Sequence, residues 1–248
     1  MNLVIDLGNT YGKIAVCEGT EIIESAISEK ITNREIAYFI NTYEEIYGAI
    51  FSSVANHSRE LIDYLDSSVD YFLELSINTP LPFINHYKTP ATLGYDRIAA
   101  VCGAHTIFPG KNVLVIDAGT AVTYDLITSK GEYLGGNISP GMVMRFKALN
   151  KFTNRLPMLE ANDAYVKSIG TTTEEAVTSG VVNGLVYEIE SYISKLSSTY
   201  RNLQVVLTGG DAKSFDNNLK SSIFVVSHLN LIGLNRILDY NVHNQTTN

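Results

Sequence analysis

Residues 113–127 read VLVIDAGTAVTYDLI, and residues 3–16 read LVIDLGNTYGKIAV. In both stretches an apolar run ends on an aspartate, a glycine follows two residues later with a threonine close behind it, and a second apolar run begins. Because glycine among polar residues is typical of a tight turn between strands, each stretch predicts a β-hairpin. The recurrence of one unit within a chain indicates repeated architecture. We therefore expect an α/β protein of two similar domains, residues 1–110 and 111–248, each opening with such a hairpin.

The remaining segments supply helices and strands in the order that two α/β domains need. TNREIAYFINTY (32–43) predicts a helix, with Thr32 as its N-cap and Glu35 three residues later, the pattern of a capping box. We expect the last eight residues, 241–248, to fray. Other predicted segments include the helices at 96–107, 141–151, 173–196 and 229–240, a helix capped by Asn56, and the strands at 20–27, 47–54, 71–75, 132–138, 205–211 and 223–226.

The composition is that of a globular protein, with 45% of the 248 residues hydrophobic and 18% charged. The formal net charge of −8 argues against binding to nucleic-acid phosphates but permits a small anionic ligand held by local backbone amides. Cys17 and Cys102 are too few for a disulfide framework and fit no metal-binding spacing. The start, MNLVIDLGNT, lacks the features of a signal peptide, and no apolar run is long enough for a membrane span. We expect a soluble cytoplasmic protein that binds neither membranes nor nucleic acid.

The hairpin turns have the chemistry of a phosphate site. Gly8 and Gly119 lack side chains, so that a phosphate group can approach the backbone closely. Backbone amides, together with the hydroxyls of Thr10 and Thr120, can donate hydrogen bonds to phosphate oxygens. Lys13 is the basic residue nearest the first turn and could reach a phosphate. One such turn sequence is weak evidence for a phosphate site, because many turns contain Asp and Gly. Two copies in the same strand context are much stronger evidence.

The two hairpins also predict a cation. Asp6 and Asp117 end the first strand of each hairpin, and we expect them to face one crevice. Carboxylates repel phosphates unless a cation lies between them, so this arrangement favours Mg²⁺ or another hard cation.

Three further strings allow both a structural and a functional interpretation. VVLTGGD (205–211) predicts a strand that ends in two glycines, either a phosphate or adenine cradle or an ordinary tight turn. GGNISPG (135–141) is a rigid connection to a helix or a ligand contact. In LGYDRIAA (93–100), Asp96 and Arg97 open an apolar helix. They are a solvated surface pair, or else a carboxylate that accepts a hydroxyl proton beside a guanidinium that binds a carboxylate.

Other site chemistries have no sequence support. The chain contains no Walker-type loop, no dinucleotide-binding glycine motif and no G-x-S-x-G nucleophile turn. Its five histidines do not have zinc-binding spacing.

Taken together, the motifs resemble those of type III pantothenate kinases, within the actin-like ATPase superfamily. The strings occur in the family's order over nearly the whole chain, and the six together are far more specific than any one. They are DLGNTYGK (6–13), NHYKTPATLGYDR (85–97), DAGTAVTYD (117–125), GGNISPGM (135–142), GTTTEEAVTSG (170–180) and TGGDA (208–212). The resemblance implies two ribonuclease H-like domains, each a mixed central sheet flanked by helices. It also implies ATP-dependent phosphorylation of pantothenate to 4′-phosphopantothenate, the first step of coenzyme A biosynthesis.

The same resemblance implies the residues that bind ATP and the cations. Mg²⁺ would lie near Asp6, and Asp117 would help to hold a monovalent cation, K⁺ or NH₄⁺. The implied ATP-binding residues are Asp6, Leu7, Gly8, Asn9, Thr10, Tyr11, Gly12, Lys13, Thr120, Gly209 and Gly210.

For the acceptor substrate, the resemblance implies that Asp96 is the general base that takes the proton from the primary hydroxyl of pantothenate. Arg97 would pair with the carboxylate of pantothenate, and Thr173 would reach the substrate across the interface of a homodimer. The implied pantothenate-binding residues are Tyr87, Gly94, Tyr95, Asp96, Arg97 and Thr173.

Two other functions remain open from the sequence. One is a kinase of the same superfamily that acts on another small hydroxy acid or sugar, since pocket shape is not readable from residues alone. The other is a non-catalytic regulatory accessory factor with the same fold. The acidic charge argues against direct DNA binding by such a factor.

Overall fold

A computed structural model describes residues 1–8, 10–53, 57–160, 167–216 and 218–245. By their internal contacts these residues form two compact units. The first comprises Met1–Gly110, Ser129–Leu134 and the C-terminal segment from His228, and the second comprises Lys111–Thr128 and Gly135–Ser227.

The sheet of the first unit is mixed and has the strand order β3-β2-β1-β4-β5. β1 pairs antiparallel with β2 and parallel with β4, so the hairpin lies at the centre of the sheet. The strands are β1 (Asn2–Leu7), β2 (Gly12–Glu18), β3 (Glu21–Ser28), β4 (Gly48–Ser53) and β5 (Tyr71–Glu74). The helices of this unit are α1 (Asn33–Thr42), α2 (Arg59–Ser68), α3 (Tyr95–Ile107) and α7 (Leu229–Gln245), with a short 3₁₀ turn at Pro90–Thr92.

The second unit repeats the plan, with the strand order β11-β10-β7-β8-β9. β7 pairs antiparallel with β8 and parallel with β10. The strands are β7 (Val113–Ala118), β8 (Ala121–Ile127), β9 (Glu132–Pro140), β10 (Gln204–Thr208) and β11 (Phe224–Val225). The helices are α4 (Met142–Lys151), α5 (Thr173–Ser197) and α6 (Ala212–Asp216). The two-residue strand β6 (Ile84–Asn85) pairs with Glu132 and Tyr133 at the start of β9, and both sides of this pairing belong to the first unit.

Each unit has its own apolar core, between the sheet and its helices. Leu3, Ile5, Ile14, Phe39 and Phe51 are among the buried residues of one core. The second core contains Leu114, Ile116, Phe146, Leu185 and Phe215. The predicted fold class, two similar domains with mixed sheets flanked by helices, is confirmed.

Helix starts follow the capping rules. Thr32 and Glu35 form the predicted capping box: the Thr32 amide donates to the Glu35 carboxylate over 2.8 Å, and the Glu35 amide donates back to the Thr32 hydroxyl. Thr172 caps α5 in the same way, by accepting from the Glu175 amide. These side chains satisfy backbone donors that a helix cannot satisfy internally.

The closing helix α7 packs against α3 at an unusually short distance. A Cβ atom built on Gly233 would lie 1.8 Å from the carbonyl oxygen of Ala99, and one built on Gly103 would lie 2.3 Å from that of Leu229. Only glycine fits at either position. This close crossing holds the start of α7 beside the first sheet.

Contacts assign α7 to the first unit, whereas the predicted boundaries, 1–110 and 111–248, leave it in the second. The expected fraying of residues 241–248 is wrong for 241–245, which continue α7. The reason is that the Asn241 amide is buried and donates to the carbonyl oxygens of Pro80 and Ile237. Asn56 and residues 246–248 lie outside the described part of the chain. No helix in the described ranges is long and apolar enough to cross a membrane.

Candidate active site

A row of three polar residues crosses the centre of the first sheet. Asp6 on β1 pairs with Lys13 on β2 and with Ser52 on β4. Because residues paired across strands point to the same face of a sheet, the three side chains emerge side by side.

Asp6 is only 7% exposed, and its environment opposes the charged form. Burial raises the pKa of the Asp6 carboxyl, Lys13 opposes the rise, and the neighbouring carboxylate of Asp96 adds to it. Ser52, the strand partner of Asp6 on β4, and Asn230, on the first turn of α7, are the polar side chains next to this carboxyl. A buried carboxyl of this kind is suited to a cation partner.

Asp96 lies in the first turn of α3, with Gly94 as the N-cap. Its Oδ1 atom accepts a hydrogen bond from the Arg97 amide over 2.9 Å. A Cβ atom built on Gly94 would lie 2.3 Å from that same Oδ1, so a larger residue at 94 would displace the carboxylate from its place over the helix start. The carboxylate is half-buried and close enough to Asp6 to raise the pKa of that residue. Two carboxyl groups thus share one polar site.

Arg97, next to Asp96 in the chain, packs against one of two stacked tyrosines. The guanidinium carbon of Arg97 lies 5.4 Å from the centre of the Tyr87 ring, within the range of a cation–π contact. Tyr87 stacks in turn on Tyr133, with the rings nearly parallel. Arg97 is buried, and a buried guanidinium beside a half-buried tyrosine can bind a planar anionic group such as a carboxylate.

The first hairpin turn supplies backbone groups at the end of β1. The Gly8 amide donates to the carbonyl oxygen of Tyr11, and Thr10 and Tyr11 are exposed. Gly12 is buried, and a Cβ atom there would lie 2.6 Å from the Ile31 side chain, so packing alone accounts for this glycine. Asn9, also predicted at this site, lies outside the described residues.

The second hairpin turn is shorter than the first, in which the four residues 8–11 separate β1 from β2. Only Gly119 and Thr120 separate β7 from β8, and the Gly119 amide donates to the Ala121 carbonyl oxygen over 3.0 Å. Asp117 is the second-to-last residue of β7, just as Asp6 is the second-to-last residue of β1. The repeat is therefore real in topology but not identical in its turn.

The double glycine after β10 lies against this second hairpin. Gly209 has φ +97°, and a Cβ atom there would lie 2.3 Å from the Ala118 carbonyl oxygen and 2.5 Å from Asp117 Oδ1. The Asp211 amide donates to the same Ala118 carbonyl. Gly210 is exposed, and a Cβ atom added to it would meet no other atom within 4 Å. Gly209 is thus needed for packing, whereas Gly210 leaves open surface beside Asp117.

The string GGNISPG has a structural role. A Cβ atom on Gly141 would lie 2.1 Å from the Gly119 carbonyl oxygen, and one on Gly136 would lie 1.9 Å from that of Tyr124. Gly141 is the N-cap of α4, and its amide donates to the Thr120 carbonyl oxygen. The start of α4 is therefore held directly on the second hairpin turn.

Thr173 opens α5, away from these turns in sequence, and lines a groove between α4 and α5. The groove has a volume of about 920 Å³ and is largely apolar, with Met144, Leu149 and Phe152 among its lining residues. Phe152 is 81% exposed. Large apolar surface of this kind marks a site of association.

The structure thus groups the predicted residues by unit. The first unit brings Asp6 and Lys13 together with Asp96, and Arg97 with Tyr87, with Tyr95 as the first residue of α3. Asp117, Thr120, Gly209, Gly210 and Thr173 belong to the second unit.

Three residues around the first hairpin were not predicted. Ser52 follows a fully apolar run, AIF, at the end of a strand, a signal that could have been used. Asn230 interrupts an apolar helix, a weaker signal. For His228 the sequence contains no such signal. Burial lowers the pKa of its imidazole, and the nearby Lys13 lowers it further.

Across the described ranges, no group of three or more His, Cys, Asp or Glu side chains could hold a metal ion. One or two carboxylates beside bound phosphates are, however, what Mg²⁺ requires, since it keeps several water molecules. Asp6 fits that requirement, because two buried oxygen atoms without hydrogen-bond partners, Ser52 Oγ and Asn230 Oδ1, accompany it.

Comparison with known proteins identifies the family. The sequence profile described as type III pantothenate kinase matches residues 2–195. The type III pantothenate kinase of Bacteroides fragilis is 46% identical over 241 residues, which cover 97% of this chain and 98% of that protein. That of Phocaeicola vulgatus is 46% identical over 243 residues, with coverage of 97% and 99%.

Solved structures show the same fold at lower identity. A Campylobacter jejuni protein described as a conserved Baf family transcriptional activator has a TM-score of 0.65 and 22% identity, covering 97% of this chain and 99% of that one. A glucokinase from an Antarctic psychrotroph has a TM-score of 0.53 and 11% identity, with coverage of 96% and 98%. These two likenesses concern the fold alone, whereas the profile and the relatives confirm the resemblance drawn from the six strings. The chain belongs to the type III pantothenate kinase family.

Proposed function

We propose that this protein transfers the γ-phosphoryl group of ATP to the primary hydroxyl of pantothenate and forms 4′-phosphopantothenate, the first step of coenzyme A biosynthesis. Family membership supports the reaction. The observation that carries it at the level of residues is the pairing of two carboxylates, Asp6 and Asp96, beside Lys13 in the first unit. Phosphoryl transfer needs a site for a metal ion, a general base and a positively charged side chain that binds phosphate. It needs little covalent chemistry from the protein.

Asp96 is the general base of this proposal. Its carboxylate is anchored by the Arg97 amide and is half-buried at the start of α3. A carboxylate in that position can accept the proton of the attacking hydroxyl as the oxygen bonds to phosphorus. Arg97 binds the pantothenate carboxylate, and Tyr87 and Tyr95, with Gly94, form the adjoining wall. The buried guanidinium accounts for how an acidic protein binds an anionic substrate.

Each unit supplies its own candidate ATP ligands. In the first unit the ligands are the turn after Asp6 and the ammonium group of Lys13, which lies beside Asp6 on the sheet. In the second unit they are Thr120 and the exposed backbone at Gly210, next to Asp117. Gly209 contributes by letting the chain approach β7 closely.

Two cations complete the proposal. Asp6 would hold Mg²⁺, which when bound would neutralise charge on the phosphates. Asp117 faces a monovalent cation, K⁺ or NH₄⁺, for which its carboxylate and the nearby backbone carbonyl groups are suitable hard oxygen ligands.

The protein acts as a homodimer in the cytoplasm. The apolar groove between α4 and α5, with the exposed residues Met144 and Phe152, is the face that a second copy covers. Thr173 lies in the lining of that groove, so a partner seated there would be brought next to it.

The test is ATP turnover by the purified protein, with and without pantothenate, in potassium and then in sodium buffer. ADP release that depends on both pantothenate and potassium is the expected result. Release that ignores the cation would retain the kinase and remove the role of Asp117. A folded protein without pantothenate-dependent release would contradict the proposed reaction and favour another acceptor or a non-catalytic role.

A further inference from the structure

Two orphaned polar atoms lie next to Asp6. Among the described residues, three buried side-chain nitrogen or oxygen atoms have no hydrogen-bond partner: Ser52 Oγ, His105 Nδ1 and Asn230 Oδ1. Ser52 pairs with Asp6 across the sheet, and Asn230 lies close enough to Asp6 to influence its pKa, so two of these three atoms accompany one carboxylate. Buried polar groups without partners cost stability and are rare in native proteins, which makes their concentration at one point informative.

The placement of both residues follows from the fold. Ser52 is the strand partner of Asp6 across the parallel pairing of β1 and β4, so the two side chains share one face of the sheet. Asn230 comes from the first turn of α7, which the close crossing of Gly233 over Ala99 holds against α3. Ser52 is 1% exposed and Asn230 is 8% exposed.

The chemistry of the two atoms matches a hydrated cation. Asn230 Oδ1 and Ser52 Oγ are buried oxygen atoms without a hydrogen-bond partner, so each has free acceptor capacity. Hydroxyl and amide oxygens accept hydrogen bonds from water, and Mg²⁺ keeps several water molecules when it binds through one or two carboxylates. Lys13 on β2 pairs with Asp6 from the side opposite to Ser52, which pairs with Asp6 from β4.

We propose that Ser52 and Asn230 are positioning residues for the metal–nucleotide complex, and that they accept hydrogen bonds from the water molecules around the Mg²⁺ ion at Asp6. The proposal rests on the proposed function, because it deepens the role of the same site. It assigns these residues to the metal and not to pantothenate. It also gives a reason why the fold tolerates two unsatisfied oxygen atoms.

The test measures metal binding directly. Mn²⁺ replaces Mg²⁺, and its binding to the protein with ADP is titrated by the loss of the free-ion electron paramagnetic resonance signal. Ser52→Ala and Asn230→Ala are each expected to weaken Mn²⁺ binding about tenfold, the usual effect of losing an outer-shell partner. Binding of ADP without metal should change by less than about twofold, since neither residue is assigned to the nucleotide.

The controls are buried residues of the same types with satisfied hydrogen bonds. Asn241→Ala lies on the same helix, and Ser179→Ala removes a buried hydroxyl that donates to the Ser168 carbonyl oxygen. Both controls should leave Mn²⁺ affinity unchanged. Thermal unfolding without ligand gives a second measurement: Ser52→Ala should melt no lower than the unmodified protein, because removing an unsatisfied buried hydroxyl is neutral or stabilising.

The outcomes separate this inference from the proposed function. Unmodified protein that binds Mn²⁺ with ADP while both variants bind it equally well overturns the inference alone, and the two oxygen atoms then serve buried water only. Unmodified protein that binds no Mn²⁺ with ADP overturns the inference together with the magnesium role of Asp6. Weaker metal binding in the variants, with a retained melting temperature in Ser52→Ala, supports the inference.

Discussion

At the scale of single residues, the first unit places two carboxylates with different surroundings in one site. Asp6 is enclosed by the sheet and by Lys13, Ser52 and Asn230, and burial raises the pKa of its carboxyl. Asp96 sits at a helix start, half-exposed, with one oxygen held by the Arg97 amide. When two carboxyl groups of one site have different environments, one can bind a cation while the other acts as a base.

The role of Asp96 can be tested by removing only its charge. Asp96→Asn keeps the size of the side chain, so we predict a normal melting temperature and a kcat about 10²–10⁴-fold lower, the usual contribution of a general base. Steady-state turnover with pantothenate and a thermal unfolding curve measure both. A variant with near-normal turnover would contradict the assignment of Asp96 as the base.

Substitution of the adjacent residues Gly209 and Gly210 by alanine is expected to have different effects. Gly209→Ala meets a positive φ and the Ala118 carbonyl oxygen, so we expect a loss of roughly 2–3 kcal/mol in the free energy of unfolding. Gly210→Ala has open space, so it should fold normally and raise the KM for ATP severalfold without changing the KM for pantothenate. Denaturant unfolding and steady-state kinetics distinguish them. An unchanged KM for ATP in Gly210→Ala would remove this position from the nucleotide site.

At the scale of elements, a partly buried polar cluster ties the end of β9 and the helices α4 and α5 together. Glu188 on α5 accepts hydrogen bonds from Tyr124 and Ser139 and forms an ion pair with Arg145 on α4. Burial alone would raise the pKa of the Glu188 carboxyl, but the hydrogen bonds from Arg145, Ser139 and Tyr124 together lower it. Because Gly141 at the start of α4 contacts the second hairpin turn, this cluster supports the position of that turn.

The lowered pKa of Glu188 has a defined effect on stability. A carboxyl whose pKa is depressed on folding stabilises the protein above its unfolded value, 4.5, and that contribution is lost as the pH falls through the folded value. Glu188→Gln should therefore reduce the free energy of unfolding by roughly 1–2 kcal/mol at pH 7, by the loss of charged hydrogen bonds, and by less near pH 3. Urea unfolding at both pH values measures this. An equal loss at both would show that the charge of Glu188 is unimportant.

At the scale of the whole molecule, two units of similar topology each carry their own group of predicted site residues. The acceptor-side residues and Lys13 belong to the first unit, and Asp117 with the double glycine belongs to the second. The second unit also carries the apolar groove assigned to a second copy.

The proposed dimer can be tested by placing charge in the groove. We predict that Met144→Asp and Phe152→Asp, at positions 42% and 81% exposed, leave the monomer folded but prevent its association. Light scattering coupled to size-exclusion chromatography gives the mass, with 27.3 kDa expected for a single chain. Val143→Asp, at an exposed position that does not line the groove, is the matched control. Unmodified protein that elutes as a monomer at micromolar concentration would contradict the dimer.

Both cysteines are expected to be unreactive in the folded protein. Burial raises the pKa of the Cys17 thiol, with a contribution from Asp239, and burial raises that of the Cys102 thiol, each to about 12. The thiolate is the reactive form, so a thiol reagent at pH 8 should label neither residue until the protein is unfolded in denaturant. Rapid labelling of the native protein would show that the first unit opens on the timescale of the reaction.

Much of the fold was predictable from local patterns. The capping box at Thr32, the two hairpins and the long helix from Thr173 all follow from short-range spacing, which depends on a few neighbouring residues. The extension of α7 past residue 240 was not predictable, because the Asn241 amide is satisfied by Pro80, 161 residues away. Likewise, the predicted site residues came from recognisable strings, whereas Ser52 and Asn230 did not.

The sequence by itself determined the family, the repeated hairpin and the candidate catalytic carboxylate, since each is encoded in contiguous residues with a recognisable order. Tertiary structure alone decided which unit the closing helix joins, why Gly141 and Gly209 must be glycine, and which side chains surround Asp6. The physical reason is that these features depend on close approach between segments distant in the chain. A glycine at a crossing, or an unpaired oxygen beside a carboxylate, has no signature within its own stretch of sequence.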